Sequence, residues 1–325
     1  MGNTKQISRR NFIKTTTAVG LGTSLVSAPF SKLAFSAQNN GTLKMYGWGF
    51  RQEIVEEGLE IYRKLYDEKV EFVLNPANFH PFIETSFLGN TQIDLTYGED
   101  FYANRWYRPG WIKSLEDFPG IDEAIKKPAL PGLLENAKNW EGNVVGSFYY
   151  TANYLFGYNQ IHMDKAKLNP PKTWEELLEQ CKQLQMDGVS EHPYIGRWMD
   201  QTWAIPQQFT NDCFSEGESI FDENNNPTFK DGGVGFQKVL ERYRFMLEKG
   251  YVPPDVLSMS DDRVTFATGK HTFFTADNYN HQPVSGDPEF SKIAGKVGFA
   301  MYPGLTGETL GQGAMYYMGN NNVDD

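Results

Sequence analysis

Five histidines, His80, His162, His192, His271 and His281, are the first side chains to weigh for catalysis or metal binding. None stands at a metal-ligand spacing from another His, Cys or Glu, and no H-E-x-x-H motif occurs. A lone histidine is more often a surface or hydrogen-bonded core residue. No G-x-S-x-G elbow presents a serine nucleophile. Gly269-Lys270 has the ending of a phosphate loop, but Val264 stands where its first glycine belongs. Asp222-Glu223-Asn224-Asn225-Asn226-Pro227 opens like a calcium loop, yet Pro227 occupies the position that needs glycine. Gly233 falls where the bidentate glutamate belongs, so a polar turn is expected there. The motif survey therefore points away from an enzyme, and it implies no metal and no cofactor.

A second constellation lies at the ends of predicted strands. In open α/β sheets, ligands sit beyond the carboxyl ends of the strands. That rule selects Trp48, Glu99, Asp100, Trp198, Asp277, Asn278 and Tyr279, and Tyr150 stands on an aromatic extended segment. Most join a ring or a carboxylate to a strand end. Such a set suits a sugar, whose C–H faces stack on rings and whose buried hydroxyls need polar partners. The competing reading is structural. Trp48 and Tyr150 can be core residues, and Glu99 and Asp100 can cap a following helix. Arg105, Trp106 and Trp203 are expected to pack or to line a rim.

The elements that must position these residues alternate. A strand is predicted over 42–46, ending at Gly47-Trp48-Gly49, and a helix over 51–66, with Ile54, Val55, Leu59, Tyr62, Leu65 and Tyr66 at helical spacing. Strands are predicted at 70–74, 93–97, 193–196, 271–275 and 296–300, with an extended run from Phe148 to Tyr158. Thr173-Trp174-Glu175-Glu176 reads as a capping box opening a helix with Leu177, Leu178, Cys181 and Leu184 on its apolar stripe. A further amphipathic helix spans 235–249 and stops at Gly250 before Pro253-Pro254. Strand, helix, strand in short succession predicts mostly parallel sheets flanked by helices. Cys181 falls mid-helix and Cys213 in a polar loop, and nothing in the sequence brings them together; an oxidising compartment would permit a bridge.

The N-terminus carries its own signal. Ser8-Arg9-Arg10-Asn11-Phe12-Ile13-Lys14 precedes a weakly apolar stretch from Thr15 to Pro29. Paired arginines before a short apolar run predict a twin-arginine leader over 1–36, cut after Ser36. The run is too short and polar to span a bilayer, which takes about 20 apolar residues. No cysteine lies near the cut to carry a lipid anchor. A soluble periplasmic protein, exported by the twin-arginine machinery, is expected. Five of the 30 basic residues and none of the 41 acidic ones lie in 1–36, leaving 25 against 41, a net charge of −16. So acidic a chain repels phosphate backbones and anionic lipid, which disfavours nucleic acid and membrane surfaces as partners. A monomer is expected.

Several segments then resemble the extracellular solute-binding proteins of ABC importers, the large family that includes maltose-binding proteins. They are Tyr158-Asn159, Pro171-Lys172-Thr173-Trp174-Glu175-Glu176-Leu177, Gly250-Tyr251-Val252-Pro253-Pro254, Phe266 to Phe273, and Val297 to Gly304. Thr272 and Phe273 depart from the usual Ala-Met of that family. The resemblance covers about residues 42 to 320. It implies two α/β lobes with a solute cleft between them: 37–149 as the N-terminal lobe, 150–299 as the second, and 300–325 returning to the first. It also implies further C-terminal helices that this sequence does not contain. The implied function is capture of a sugar or oligosaccharide by lobe closure and delivery to a membrane permease. A cationic solute such as a polyamine, and a periplasmic glycoside hydrolase, are the rival readings.

Overall fold

A computed structural model describes residues 41–49, 52–75, 79–127, 131–200, 204–224, 226–231 and 233–320. The predicted leader and Trp203 lie outside the described residues. The chain divides into two compact units, one holding residues up to Thr151 and again from Gln312, the other Ala152–Gly311.

In the first unit, β1 (Leu43–Gly47) is followed by α1 (Gln52–Tyr66), β2 (Val70–Leu74), α2 (Phe79–Leu88) and β3 (Leu95–Glu99). A 3-10 turn (Asp100–Tyr102) leads into α3 (Ala103–Tyr107), and α4 (Pro131–Asn136) follows. β1 pairs in parallel with β2 and β3, as the βαβ alternation predicts. α1 buries Val55, Leu59 and Tyr62, while Ile54, Leu65 and Tyr66 of the expected stripe remain exposed. β3 begins two residues later than predicted, because the Asp94 carboxylate takes the Lys44 amide at 2.9 Å. Glu99 is therefore the last residue of the strand rather than the first beyond it.

β4 (Gly146–Asn159) runs on into the second unit. There α5 (Gln160–Ala166), α6 (Trp174–Met186), β5 (Tyr194–Gly196), α7 (Ile205–Ser215), α8 (Val234–Glu248), α9 (Asp262–Ala267), β6 (Phe273–Asp277), α10 (Asn278–Gly286) and β7 (Val297–Ala300) follow. β6 pairs in parallel with β5, and β4 pairs antiparallel with both β6 and β7. Thr173 caps α6 by accepting the Glu176 amide at 3.2 Å. The Glu176 carboxylate reaches one residue beyond the reciprocal bond of a capping box, to the Lys172 amide at 2.7 Å. Gly250, at φ +66°, ends α8 through a left-handed turn that a side chain would strain.

The return to the first unit falls at Gln312 rather than at 300. Residues 297–311 stay in the second unit because β7 pairs with β4, Tyr302 is buried in that core, and the Leu310 carbonyl accepts the Tyr154 amide at 3.2 Å. β8 (Gly311–Met318) then pairs antiparallel with β3 and lies beside β4. Each unit has its own core, built on Tyr97, Trp106 and Tyr317 in the first and on Trp174, Tyr194 and Phe273 in the second. Cys213 lies within α7, not in a loop, and both cysteines are buried free thiols.

Candidate functional site

The ends of β1 and β3 bring together an aromatic and acidic group in the first unit. Trp48 follows β1 and stays half-buried, meeting Phe79 edge-on at 5.1 Å and Tyr97 at 5.1 Å. Tyr97 in turn stacks on Tyr149 at 4.7 Å, and Tyr149 meets Tyr150 at 5.2 Å. Burial raises the Tyr97 phenol far above its ordinary value. The Glu99 carboxylate lies 2.5 Å from His80 Nε2, and 17% of each side chain remains exposed. The His80 ring lies flat on Tyr102, with centroids 4.3 Å apart and 5° between planes. His80 is the residue missed in the sequence. The strand-end rule, applied to β2 as it was to β1 and β3, points to the segment that opens α2 and would have found it.

Asp100 is placed differently. Its Oδ1 accepts the Phe101 amide at 2.9 Å, and its Oδ2 accepts Asn136 Nδ2 and the Gly313 amide, each at 3.0 Å. Desolvation outweighs these bonds, and with Glu99 beside it the carboxyl is pushed up to about 7. Trp106, expected to pack, is fully buried and donates from Nε1 to Glu84 at 3.1 Å. Arg105 pairs with the same glutamate at 2.5 Å.

In the second unit the strand ends are occupied by internal contacts. Trp198 is 1% exposed and packs on Tyr243 at 4.2 Å and Tyr194 at 6.0 Å. Asp277 has no exposed surface. It pairs with Arg197 at 2.5 Å and caps α10 through the Asn280 amide at 3.1 Å. Its two oxygens also accept Asn280 Nδ2, at 2.9 and 2.8 Å. Trp198 and Asp277, expected as solute ligands, thus take packing and capping positions in this structure. The cause is the register of β6, which ends at Asp277 and turns that side chain onto Arg197. Asn278 is exposed and accepts the Asn153 amide at 3.2 Å, and Tyr279 is half-buried. Where a polar turn is expected, Asp222 accepts the amides of Asn224 and Asn226. Among the described residues, no group of three or more His, Cys, Asp or Glu side chains could hold a metal ion.

The alternation of strands and helices agrees with the comparisons to known proteins. The chain belongs to the bacterial extracellular solute-binding proteins, whose family match spans residues 49–325. A segment of 124 residues is 31% identical to the sn-glycerol-3-phosphate-binding periplasmic protein UgpB of Yersinia enterocolitica, covering 37% of this chain and 26% of that protein. The corresponding protein of Brucella abortus is 27% identical over 116 residues, 32% of this chain and 26% of that one. The matched stretch thus spans about a quarter of the length of these curated relatives. Among solved structures, maltose-bound MalE3 of T. maritima aligns with a TM-score of 0.75 and 21% identity over 87% of this chain and 73% of its own. A solute-binding protein of Agrobacterium radiobacter K84 in complex with ribitol aligns with a TM-score of 0.75 and 18% identity, over 88% and 73%. These likenesses establish the two-lobed α/β fold of that class. Among the described residues, no helix is long and apolar enough to cross a membrane.

Proposed function

We propose that this chain captures a neutral, polyhydroxylated solute, a sugar or oligosaccharide, by lobe closure and delivers it to a membrane permease. The observation that carries this reading is the half-buried Trp48 beside the His80–Glu99 pair at the ends of β1 and β3. A ring face takes the C–H side of a sugar, and a carboxylate beside an imidazole offers its hydroxyls an acceptor and a donor. Tyr150, Asn278 and Tyr279 are kept as proposed solute ligands, each within its own unit. The maltose and ribitol of the fold relatives are of this chemical class. The twin-arginine leader, a soluble periplasmic location and a monomeric state belong to the same proposal and rest on residues 1–36 and on the acidic composition.

The test is calorimetric titration and thermal shift of the protein against maltose, ribitol, sn-glycerol-3-phosphate and spermidine. A sugar or polyol is expected to raise Tm and to be recovered intact. Trp48→Ala is expected to weaken that binding at least tenfold, the loss of about 1.4 kcal/mol of contact. Exclusive binding of the phosphate or the polyamine would overturn the choice of solute. Consumption of the sugar would overturn the binder.

A further inference from the structure

We infer that Trp140 and Arg108, an exposed pair on the first unit, form a docking spot for the membrane permease, and that the permease segment received there carries a carboxylate beside an apolar side chain. The inference rests on the delivery step of the proposed function and adds to it the surface and the chemistry of the contact. Trp140 is 66% exposed, whereas Trp106, Trp174 and Trp198 are buried and Trp48 and Trp111 are half-buried. The turn that presents it is built. A Lys138–Val144 bridge closes its base, and the buried Asn139 Oδ1 accepts the amides of Glu141 and Asn143 at 3.0 and 2.9 Å. Asn104 on α3 fixes Trp140 itself by accepting its amide at 2.7 Å. The Arg108 guanidinium, just past the end of α3, lies over the ring at 5.7 Å.

Charge gives the partner its chemistry. Among the described arginines, Arg63, Arg105, Arg197, Arg242, Arg244 and Arg263 each pair with a carboxylate, and Arg108 does not. In a chain with 41 acidic and 30 basic residues, that leaves an unmatched cation on an exposed ring. Glu141, next to Trp140, is engaged by Asn143 Nδ2 at 3.4 Å instead. Tryptophan and arginine carry much of the energy of protein contacts, because the ring buries a large apolar area. A desolvated guanidinium needs an acid across the interface. A ring already held under its cation loses little freedom on binding. A neutral sugar would leave Arg108 unmatched, and phosphate surfaces are repelled by a net charge of −11. Delivery of solute brings a protein, the permease, against this molecule.

The test is binding of the full chain to the permease–ATPase complex in nanodiscs, with ATPase stimulation as a second readout. Trp140→Ala and Arg108→Glu are each expected to raise Kd about tenfold or more, and Arg108→Lys to recover part of the loss. Wild-type affinity is expected to fall as salt rises from about 0.05 to about 0.5 M, and Arg108→Ala to flatten that dependence. Both side chains are exposed, so Tm is expected to stay within about 2 °C of the wild type, and affinity for maltose or ribitol to stay unchanged. Unchanged Kd in Trp140→Ala, or equally tight binding by Arg108→Glu, would overturn the docking spot while leaving delivery intact. Loss of sugar affinity in Trp140→Ala would overturn it in favour of a solute subsite. If the wild type does not bind the complex, delivery and docking spot fall together.

Discussion

His281 gives the most direct test of how the second unit is held together. Its ring lies between Phe274, 4.7 Å away, and Phe299, 5.2 Å away. Its Nε2 meets the Leu155 carbonyl at 3.3 Å. Gly157 leaves the ring its place, since a Cβ there would come within 2.5 Å of it. Burial, with Arg197 adding to it, lowers the imidazole from 6.5 to about 3. The neutral ring is accepted and the imidazolium is not. The stabilisation is therefore complete above pH 6.5 and is lost as pH falls from 6.5 towards 3. One unit of pKa difference corresponds to about 1.4 kcal/mol, so the loss reaches about 2 kcal/mol at pH 5 and about 4 kcal/mol at pH 3. The assay is urea unfolding at pH 7.5, 6.5, 5.5 and 5, followed by tryptophan fluorescence, for the wild type and His281→Gln. The variant removes the titration, so its stability is expected to change with pH by about 2 kcal/mol less over this range, whatever its packing penalty. Asp100 acts in the opposite direction, because a raised carboxyl adds stability as pH falls from 7. It is present in both proteins and cancels in the comparison. Equal slopes in the two proteins would refute the reasoning.

Three further substitutions test other contacts. Asp277→Ala removes the carboxylate 2.5 Å from the buried Arg197, with Asp262 standing 3.5 Å away, and is expected to cost about 3–5 kcal/mol in chemical denaturation; a cost below about 1 kcal/mol would show that the pair is not what holds this strand end. Gly98→Ala places a Cβ 2.5 Å from the Trp106 ring and 2.9 Å from Tyr317, and is expected to destabilise the first unit by about 1–3 kcal/mol, read as a lower Tm. Thr173→Ala removes the cap of α6 and is expected to cost about 1 kcal/mol, while Thr173→Asp retains the cap and most of that stability.

Most of the fold was legible because periodicity and punctuation are local. The spacing of Val55, Leu59 and Tyr62, the cap at Thr173 and the stop at Gly250 each depend on a few neighbouring residues. The misread features depend on distant ones. β3 starts late because Asp94 engages Lys44, fifty residues earlier in the chain. The chain returns to the first unit at Gln312 because β7 is claimed by β4, and pairing partners leave no local mark. α7 escaped notice because its stripe is polar: Gln208, Asn211, Asp212 and Ser215 are all buried, tied to Tyr302, Tyr243, Leu310 and Trp174. A hydrophobic period cannot report a helix that buries amides and a carboxylate.

The same distinction sorts the candidate site. Position beyond a strand end selects a residue, but whether its side chain is already engaged decides what it can do. Asp277 and Asp100 stand where the rule predicts, and each holds three donor groups within its own unit. Glu99 stands at an equivalent end with its carboxylate partly exposed against His80. That pair can accept from one hydroxyl and donate to another, whereas a phosphate accepts only and carries charge of the same sign as Glu99. Similarity over about a quarter of a glycerol-phosphate-binding relative therefore does not carry its solute across. On the proposed reading, Glu99 is the group that turns the first unit toward uncharged hydroxyls. Glu99→Gln removes its charge while keeping an acceptor and should weaken discrimination against sn-glycerol-3-phosphate more than it weakens binding of a sugar.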